Sequence, residues 1–371
     1  MVDLYGQYLK IKEEVNAAIQ GVIDSTAFIR GEDVRRFQDE LSRYLDVKHV
    51  IACGNGTDAL QVALMTLDLQ PGDEVITTPF TFIATVEVIR LLGLKPVFVD
   101  VRPDTFNLDP EKLEQAVSDR TRAIVPVHLF GQCADMDAIM AFSRNYGLYV
   151  IEDNAQALGA DFLQSDGSKL KAGTIGHLGC TSFFPSKNLG AFGDGGALFT
   201  NDDSFAKRAA SLVNHGMSKQ YHYENVGVNS RLDTLQAAIL RVKLQHLDAY
   251  HRLRQEAAAW YDARLSGMEE LHVPVRSAFS THIFHQYTLV VRPEARDQLK
   301  QYLGDRGIPS QVYYPLPLHL QRAYKDLGYR EGDLRVSEEL SRKVLSLPMH
   351  TELDQEQLTY ITDQIEQFYK T

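Results

Sequence analysis

Short apolar runs alternate with helical patterns between residues 50 and 200, and this alternation restricts the possible folds more than any other feature of the sequence. VITT (75–78) precedes one helical pattern, and AIVPVHLF (123–130) precedes another near 135–146 that leads into LYVIED. The runs contain few polar residues, which is typical of strands buried on both faces of a parallel sheet. We therefore predict an α/β fold with a large, mostly parallel sheet, whose ligands would bind beyond the carboxyl ends of the strands.

A long helical pattern follows this region and divides the chain. It begins at Ser230, with Asp233 in the capping-box position. Beyond it, the strand pattern FHQYTLVV (284–291) and further helical patterns indicate a smaller α+β domain. We predict a large domain over residues 1–246 and a small C-terminal domain over residues 247–371.

Composition limits the partners of the chain. Its 49 acidic and 38 basic residues give a net charge of -11, without a basic block, so nucleic acid is not an expected partner. The three cysteines have no CxxC or other metal-ligand spacing, so neither a disulfide framework nor a metal site is expected. The amino terminus lacks a signal-peptide pattern, and no stretch reaches the roughly 20 apolar residues that span a bilayer. We expect a cytoplasmic protein that does not enter the membrane.

The segment CGNGTDALQVALMTL (53–67) places two glycines before a helical pattern. The free amides of a first helical turn form an anion site suited to phosphate, and glycine permits close approach to the backbone. Gly56 and Thr57 are the candidate ligands. The alternative is a simple turn capped by Thr57 or Asp58.

Asp153 ends the apolar run LYVIED. A partly shielded carboxylate at this position can stabilise a proton on a heterocyclic nitrogen, because opposite charge favours the cationic form. The alternative is that Asp153 caps a helix after the strand. Glu152 faces the opposite side of the strand and is interpreted as structural.

Lys187 is the only lysine in FFPSKNLGAFGDGGALFT (183–200). An amine that forms a Schiff base must be uncharged, and desolvation lowers its pKa. Phe183, Phe184 and Phe192 would supply a dry wall, and four glycines between residues 190 and 196 would allow tight turns. The alternative is an ordinary surface lysine in a loop.

These segments, in this order, resemble the DegT/StrS family of nucleotide-sugar aminotransferases. GNGTDAL, EDNAQALGA, TSFFPSKNLGAFGDGGALFTND, VGVNSRLDTLQAAIL and SLPMH are similar to the motifs of that family, and the resemblance extends from about residue 3 to the carboxyl end. It implies the aspartate-aminotransferase fold and pyridoxal 5'-phosphate as the cofactor.

The resemblance also implies the roles of individual residues. Lys187 would bond to the cofactor and then move a proton between cofactor and substrate carbons, while Asp153 would pair with the pyridine nitrogen. Gln156 would reach the phenolic oxygen, and Phe82 would stack on the ring. The phosphate ligands would be Gly56, Thr57, Ser182 and, from a second subunit, Asn229. This last contact implies a homodimer with shared active sites.

Three segments, GQCADMDAI, SFFPSKNLG and VGVNSRLDTLQAAIL, are most similar to the subgroup that acts on UDP-2-acetamido-3-oxo-glucuronic acid. A UDP-linked 3-oxo sugar acid is therefore the expected acceptor and glutamate the expected donor, in surface polysaccharide or lipopolysaccharide biosynthesis. The alternatives are a dTDP-linked 3-oxo or 4-oxo sugar, a non-catalytic cofactor-binding regulator, and a lyase acting on amino acids alone.

An acidic sugar nucleotide would require basic and polar contacts. Arg30 and Arg231 are candidates because a guanidinium binds carboxylate and diphosphate groups well. A surface or interface ion pair is the alternative for each. Tyr314 matches a His-Tyr-Pro motif of the family, in which Tyr313 here replaces the histidine. His319 is a further candidate substrate contact, with a packed histidine as the alternative.

Overall fold

A seven-stranded sheet forms the centre of the larger part of the molecule. The computed structural model describes residues 2–370. Its strands are β1 (His49–Cys53), β2 (Glu74–Thr77), β3 (Lys95–Phe98), β4 (Thr121–Val125), β5 (Tyr149–Asp153), β6 (Asp161–Leu163), β7 (Lys169–Lys171), β8 (Leu178–Ser182), β9 (Gly196–Thr200), β10 (Met217–Lys219), β11 (His222–Tyr223), β12 (Leu271–His272), β13 (Tyr287–Val291) and β14 (Val344–Leu347). Its α-helices are α1 (Leu4–Lys10), α2 (Lys12–Ser25), α3 (Glu32–Leu45), α4 (Gly56–Thr66), α5 (Ala84–Leu91), α6 (Met136–Tyr146), α7 (Asp203–Leu212), α8 (Thr234–Leu265), α9 (Pro293–Gly304), α10 (Arg335–Lys343) and α11 (Gln355–Lys370).

The strand order of the large sheet is β1-β9-β8-β5-β4-β2-β3. Adjacent strands are parallel except for the two pairs that involve β9. The predicted large, mostly parallel sheet is therefore confirmed. All four residues of β2 and all five of β9 are buried, as expected for strands covered on both faces.

Two separate cores lie along α8. The first half of this helix, including Leu240 and Leu247, packs with Phe37 of α3 beneath the large sheet. The second half, including Tyr261, packs with the three-stranded sheet β12-β13-β14 and with α11. The predicted domain boundary between residues 246 and 247 falls inside this continuous helix.

The start of α8 differs from the predicted capping box. The helix begins at Thr234, and its N-cap Asp233 makes no side-chain capping bond. Ser230 instead donates from Oγ to Asp58 Oδ2 at 2.6 Å and accepts from Gly54 N at 2.9 Å. The hydroxyl is thus used to fix the approach to α4, which the local sequence pattern did not indicate.

None of the helices within residues 2–370 combines the length and apolarity needed to cross a bilayer. In the same residues, no group of three or more His, Cys, Asp or Glu side chains could hold a metal ion. The three cysteines are buried and form no disulfide.

Candidate active site

A cavity of about 610 Å³ opens at the carboxyl ends of the central strands. The start of α4, the ends of β5 and β8, and the loop after β8 form its walls. This is the edge at which ligands bind in open parallel sheets. Its lining includes eight residues predicted from the sequence: Gly56, Thr57, Phe82, Asp153, Gln156, Ser182, Lys187 and Tyr314.

The start of α4 presents backbone amides to this cavity. Asn55 is the N-cap and accepts the amide of Asp58 on Oδ1 at 2.8 Å, so the expected caps Thr57 and Asp58 are wrong. The amides of Gly56 and Thr57 lie at the open end of the helix, where no intrahelical acceptor exists. A Cβ at position 56 would come within 2.6 Å of the Cβ of Ser182, so only glycine fits this closely packed turn.

Asp153 is buried at the end of β5. Thr85 donates its hydroxyl to Oδ2 at 2.8 Å, and the amide of Ala155 donates to Oδ1 at 3.2 Å. A turn rather than a helix follows the strand, which removes the helix-cap alternative. The carboxylate is therefore held in a defined orientation and still faces the cavity.

Glu152 has the structural role expected from its opposite orientation. It accepts hydrogen bonds from the amides of Gly173, Ile175 and Gly176 at 2.5–2.8 Å and from Nε2 of His128 at 2.7 Å. His128, another polar residue near a strand end, is thereby directed away from the cavity, and it does not line it.

Lys187 is half-buried in the loop after β8. Burial lowers its pKa from 10.5 to about 8, although the Asp153 carboxylate acts in the opposite direction. Of the three expected aromatic neighbours, only Phe184 lines the cavity. Phe183 packs in the core beneath the sheet, and Phe192 lies outside the cavity against α1 and α8, so the predicted three-ring wall is only partly correct.

The glycines around Lys187 permit close packing rather than unusual backbone angles, since none of them has a positive φ. A Cβ at Gly190 would overlap the carbonyl oxygen of Pro185, and one at Gly196 would overlap that of Asn55. Nζ of the buried Lys243 donates to the carbonyl of Gly190 at 2.6 Å. The long helix α8 thus helps to hold the loop that carries Lys187.

Gln156 and Tyr314 form a connected pair on the cavity wall. Gln156 accepts the amide of Phe130 on Oε1 at 2.8 Å and donates from Nε2 to the Tyr314 hydroxyl at 3.2 Å. Phe82 lines the same cavity and is 56% exposed, so its side chain is accessible to a ligand. Tyr313 also lines it.

Four other predicted residues lie outside the cavity of their own chain. Arg30 and Arg231 line a different cavity of about 640 Å³, between α3, β1 and α7, and neither forms an ion pair within residues 2–370. Asn229 is exposed, and its backbone forms an isolated antiparallel β-bridge with Asn214. His319 is buried, with Nε2 3.1 Å from Glu338 Oε1, which corresponds to the packed-histidine alternative.

The structure also adds residues that the sequence analysis missed. Asp194, Ser186, His285 and Gln286 line the cavity, and Thr85 orients Asp153 from behind. His285 and Gln286 directly precede β13. Their position before an apolar run is the one sequence signal that could have identified them.

Similarity to known proteins agrees with this geometry. The model of the DegT/DnrJ/EryC1/StrS aminotransferase family matches residues 9–366. The pleiotropic regulatory protein of Geobacillus stearothermophilus is 46% identical over 372 residues, which cover 100% of this chain and 98% of that protein. The UDP-2-acetamido-2-deoxy-3-oxo-D-glucuronate aminotransferase of Pseudomonas aeruginosa is 45% identical over 353 residues, with 95% of each covered.

A solved structure supports the same relationship. The crystal structure of S. venezuelae DesV in complex with a ketimine intermediate superimposes with a TM-score of 0.95 at 38% identity, covering 100% of this chain and 98% of DesV. The similarity therefore includes both the large sheet and the smaller carboxyl-terminal part. From the family match, the relatives and the shared fold, we conclude that this chain belongs to the DegT/DnrJ/EryC1/StrS aminotransferase family.

Proposed function

We propose that the protein is a pyridoxal-phosphate-dependent aminotransferase that transfers an amino group from an amino acid to a keto nucleotide sugar. The observation that carries this proposal is the presence of the Lys187 amine and the Asp153 carboxylate in one cavity, beside the amide-rich start of α4. An amine with a pKa of about 8 supplies a useful neutral fraction at neutral pH.

The cavity fits pyridoxal 5'-phosphate. The amides of Gly56 and Thr57, with the Ser182 hydroxyl, would hold the phosphate where a Cβ at position 56 would intrude. Asp153 would face the ring nitrogen, and Phe82 would cover the ring. Gln156 would lie at its oxygen-bearing edge. The bound cofactor supplies an aldehyde and an electron-withdrawing ring that stabilises negative charge on the substrate carbon.

The protein's own groups would handle the proton and the charge. Lys187 Nζ, when neutral, could accept a proton from the α-carbon of the donor amino acid and deliver it to the cofactor carbon, and in the second half of the reaction it could move a proton from that carbon to the acceptor carbon. The Thr85 hydroxyl and the Ala155 amide orient the Asp153 carboxylate before a ligand binds, so its negative charge would already be in place for the ring nitrogen. Phe184 and Tyr314 contribute aromatic surface to the cavity that contains Lys187.

A UDP-linked 3-oxo sugar acid is the proposed acceptor, and glutamate is the proposed donor. The name of the P. aeruginosa relative supports this acceptor. A dTDP-linked sugar is the second candidate, because a transaminase for such a sugar from Streptomyces venezuelae is 40% identical over 99% of this chain. We further propose that the reaction serves surface polysaccharide or lipopolysaccharide biosynthesis in the cytoplasm.

A regulatory role is a different class of function, suggested by the name of the G. stearothermophilus relative. A regulator would not require an amine of lowered pKa, a buried carboxylate and a cavity-lining amide together. Lys187, Asp153 and Gln156 all line the one cavity. This combination favours a catalytic function over a regulatory one.

We also propose a homodimer. Asn229, Arg30 and Arg231 lie outside their own chain's cavity, and the two arginines have no ion-pair partner within the described part of the chain. In a homodimer these side chains would complete the partner's site, with the arginines facing the acidic groups of the sugar nucleotide. Sedimentation at micromolar concentration should give twice the mass of 41.8 kDa.

The decisive experiment combines spectroscopy with product analysis. The absorbance of the lysine-bound cofactor should bleach with glutamate and recover only when a keto sugar nucleotide is added, and mass analysis should show an amino sugar product. Recovery without any sugar would indicate chemistry on amino acids alone. Absence of bleaching with any amino acid would support the regulatory alternative.

Two further measurements test the residue assignments. Borohydride reduction and peptide mapping should place the cofactor on Lys187. Arg30→Ala and Arg231→Ala should weaken binding of the acidic sugar nucleotide more than that of a neutral one, whereas Arg43→Ala, on the exposed surface of α3, should affect neither. Equal weakening for both sugars would remove the proposed role of the two arginines.

A further inference from the structure

Arg254 is a buried cation without an anionic partner. It lies on α8 with 4% of its surface exposed, and no carboxylate within residues 2–370 forms an ion pair with it. Its Nη1 donates to the carbonyl oxygens of Phe284 at 3.0 Å, His285 at 3.5 Å and Met349 at 3.0 Å. Burying a guanidinium with only carbonyl dipoles as partners costs free energy, and this cost points to a role for Arg254 beyond stability.

The turn that Arg254 contacts has a strained backbone. Phe284 is buried and has a φ of 49°, in the left-handed region that a bulky residue rarely adopts. His282 stabilises this conformation: its ring stacks on that of Phe284 with centroids 3.9 Å apart, and its Nδ1 accepts the Phe284 amide at 3.0 Å. Several interactions therefore hold one unfavourable backbone conformation.

A second strained turn packs directly against the first. Phe130 has a φ of 58°, and Gly131 has a φ of 114°. A Cβ on Gly131 would lie 2.9 Å from the amide nitrogens of both Phe284 and His285. The amide of Gln286 donates to the carbonyl of Phe130 at 3.2 Å. Because the Phe130 amide also binds Gln156, this pair of turns connects two parts of the cavity wall.

The result of this packing is the placement of His285. His285 lines the cavity that contains Lys187, although it is only 7% exposed, and the Lys187 amine is near enough to lower the pKa of its imidazole. Its Nδ1 is buried and has no hydrogen-bond partner among the described residues. A buried polar atom without a hydrogen-bond partner lowers the stability of the fold. Such an atom in the wall of a cavity is therefore expected to have a role at the site.

We propose that Arg254 is a positioning residue of the active site, which clamps the Phe284–His285 turn and thereby fixes the imidazole of His285 in the wall of the Lys187 cavity. The proposal rests on the proposed function in taking Lys187 as the reacting amine. It assigns no direct contact between Arg254 and any substrate.

Burial, together with the neighbouring positive charges, keeps the imidazole of His285 neutral. Burial, the Lys187 amine and the Arg254 guanidinium each lower its pKa, which lies well below the usual value. Asp153 and Tyr314 face the same cavity from β5 and from the segment before α10. A neutral imidazole adds a hydrogen-bonding nitrogen without a positive charge that would weaken the pairing of Asp153 with a protonated ring nitrogen.

A double-mutant cycle tests the positioning role. Arg254→Lys keeps the charge but loses the planar fork, and His285→Gln removes the imidazole. Each should lower kcat by about a hundredfold with a smaller change in KM, since a small displacement near the chemistry has effects of this size. The double variant should be no slower than the slower single variant, because both changes remove the same placement. Arg264→Lys, on the same helix but paired with Asp363 and Glu366, is the matched control and should retain kcat.

Histidine NMR of the cofactor-free protein supplies a readout that does not depend on turnover. In the wild type, the His285 resonances should not titrate between pH 5.5 and 8.5. In Arg254→Lys they should broaden or begin to titrate, while Arg264→Lys should resemble the wild type. If Arg254→Lys does not fold, Arg254→Met takes its place, because it keeps the length of the side chain, buries no charge and removes the hydrogen bonds to the Phe284–His285 turn.

Three outcomes would overturn the proposal. They are unchanged kcat in folded Arg254→Lys or its substitute, effects that multiply in the double variant, and a His285 that titrates in the wild type. The failure of the proposed function gives a different pattern: no amino transfer by the wild type, with the NMR behaviour of His285 and its dependence on Arg254 unchanged.

Discussion

Replacing Asp153 with asparagine should raise the labelling rate of the Lys187 amine in the cofactor-free protein and lower the activity of the cofactor-loaded enzyme. In the cofactor-free protein the carboxylate raises the pKa of Lys187, against the larger lowering caused by burial, and the resulting pKa is about 8. At pH 7.0 this leaves about one-tenth of the amine neutral. Removing the negative charge lowers the pKa further. Labelling of Lys187 should therefore accelerate, by at most about tenfold, since no more than all of the amine can become neutral.

Pulse labelling with an amine-reactive reagent, followed by mass analysis of the peptide containing Lys187, measures this rate. Exposed Lys207 is the internal reference, and its rate should be the same in variant and wild type. Asp194→Asn is the matched control, because Asp194 lines the same cavity but is not among the groups that shift the pKa of Lys187. Above pH 9.5 the rates for Lys187 in Asp153→Asn and wild type should converge.

Turnover of the cofactor-loaded Asp153→Asn enzyme should fall by about two orders of magnitude, because the charge that faces the ring nitrogen is lost. Slower or unchanged labelling of Lys187 at pH 7.0 would refute the proposed electrostatic coupling. Faster labelling with full activity would refute the role of Asp153 at the cofactor while leaving the coupling intact.

Three other substitutions test separate parts of the structure. Gly56→Ala should weaken cofactor binding by about tenfold or more in fluorescence titration, because the new Cβ collides with Ser182; Gly21→Ala, with open space around it, should not. Burial lowers the pKa of His251 to about 3, so the unfolded state binds the extra proton below pH 6.5 and stability falls as the pH decreases. His251→Gln should therefore lose about 1.4 kcal/mol less unfolding free energy per pH unit between pH 6 and 4 than the wild type in urea titrations. Asp100→Ala, which removes the carboxylate that binds the first amides of α10, should lower stability by about 1–2 kcal/mol, whereas an unchanged melting temperature would contradict this role.

Local features of the sequence were sufficient to predict the main architecture. A strand buried on both faces has a mostly apolar centre, so the apolar runs that became the centres of β2, β4 and β5 indicated the parallel sheet directly. The position of Asp153 at a strand end was predictable for a related reason, whereas the strand before Lys187 was not predicted. A strand end and the glycine-rich segment after another strand lie at the same edge of such a sheet.

The sequence did not predict which of several suitable neighbouring side chains would make a given contact. Thr57 and Asp58 were reasonable caps for α4, but Asn55 takes that position because its side chain reaches the Asp58 amide. Phe183 and Phe184 are adjacent and chemically identical, yet one enters the core and the other the cavity, since successive residues after β8 point in opposite directions.

The sequence by itself determined the mostly parallel sheet and the carboxylate at the end of one of its strands, because these depend on neighbours within a few residues. The tertiary structure brought the Lys187 amine into the same cavity as that carboxylate. Only the tertiary structure decided that His319 is packed against Glu338, that Arg30 lies in a second cavity, and that Arg254 holds His285 beside Lys187. These placements depend on contacts between segments distant in the chain, where burial and backbone strain rather than local pattern select the partner.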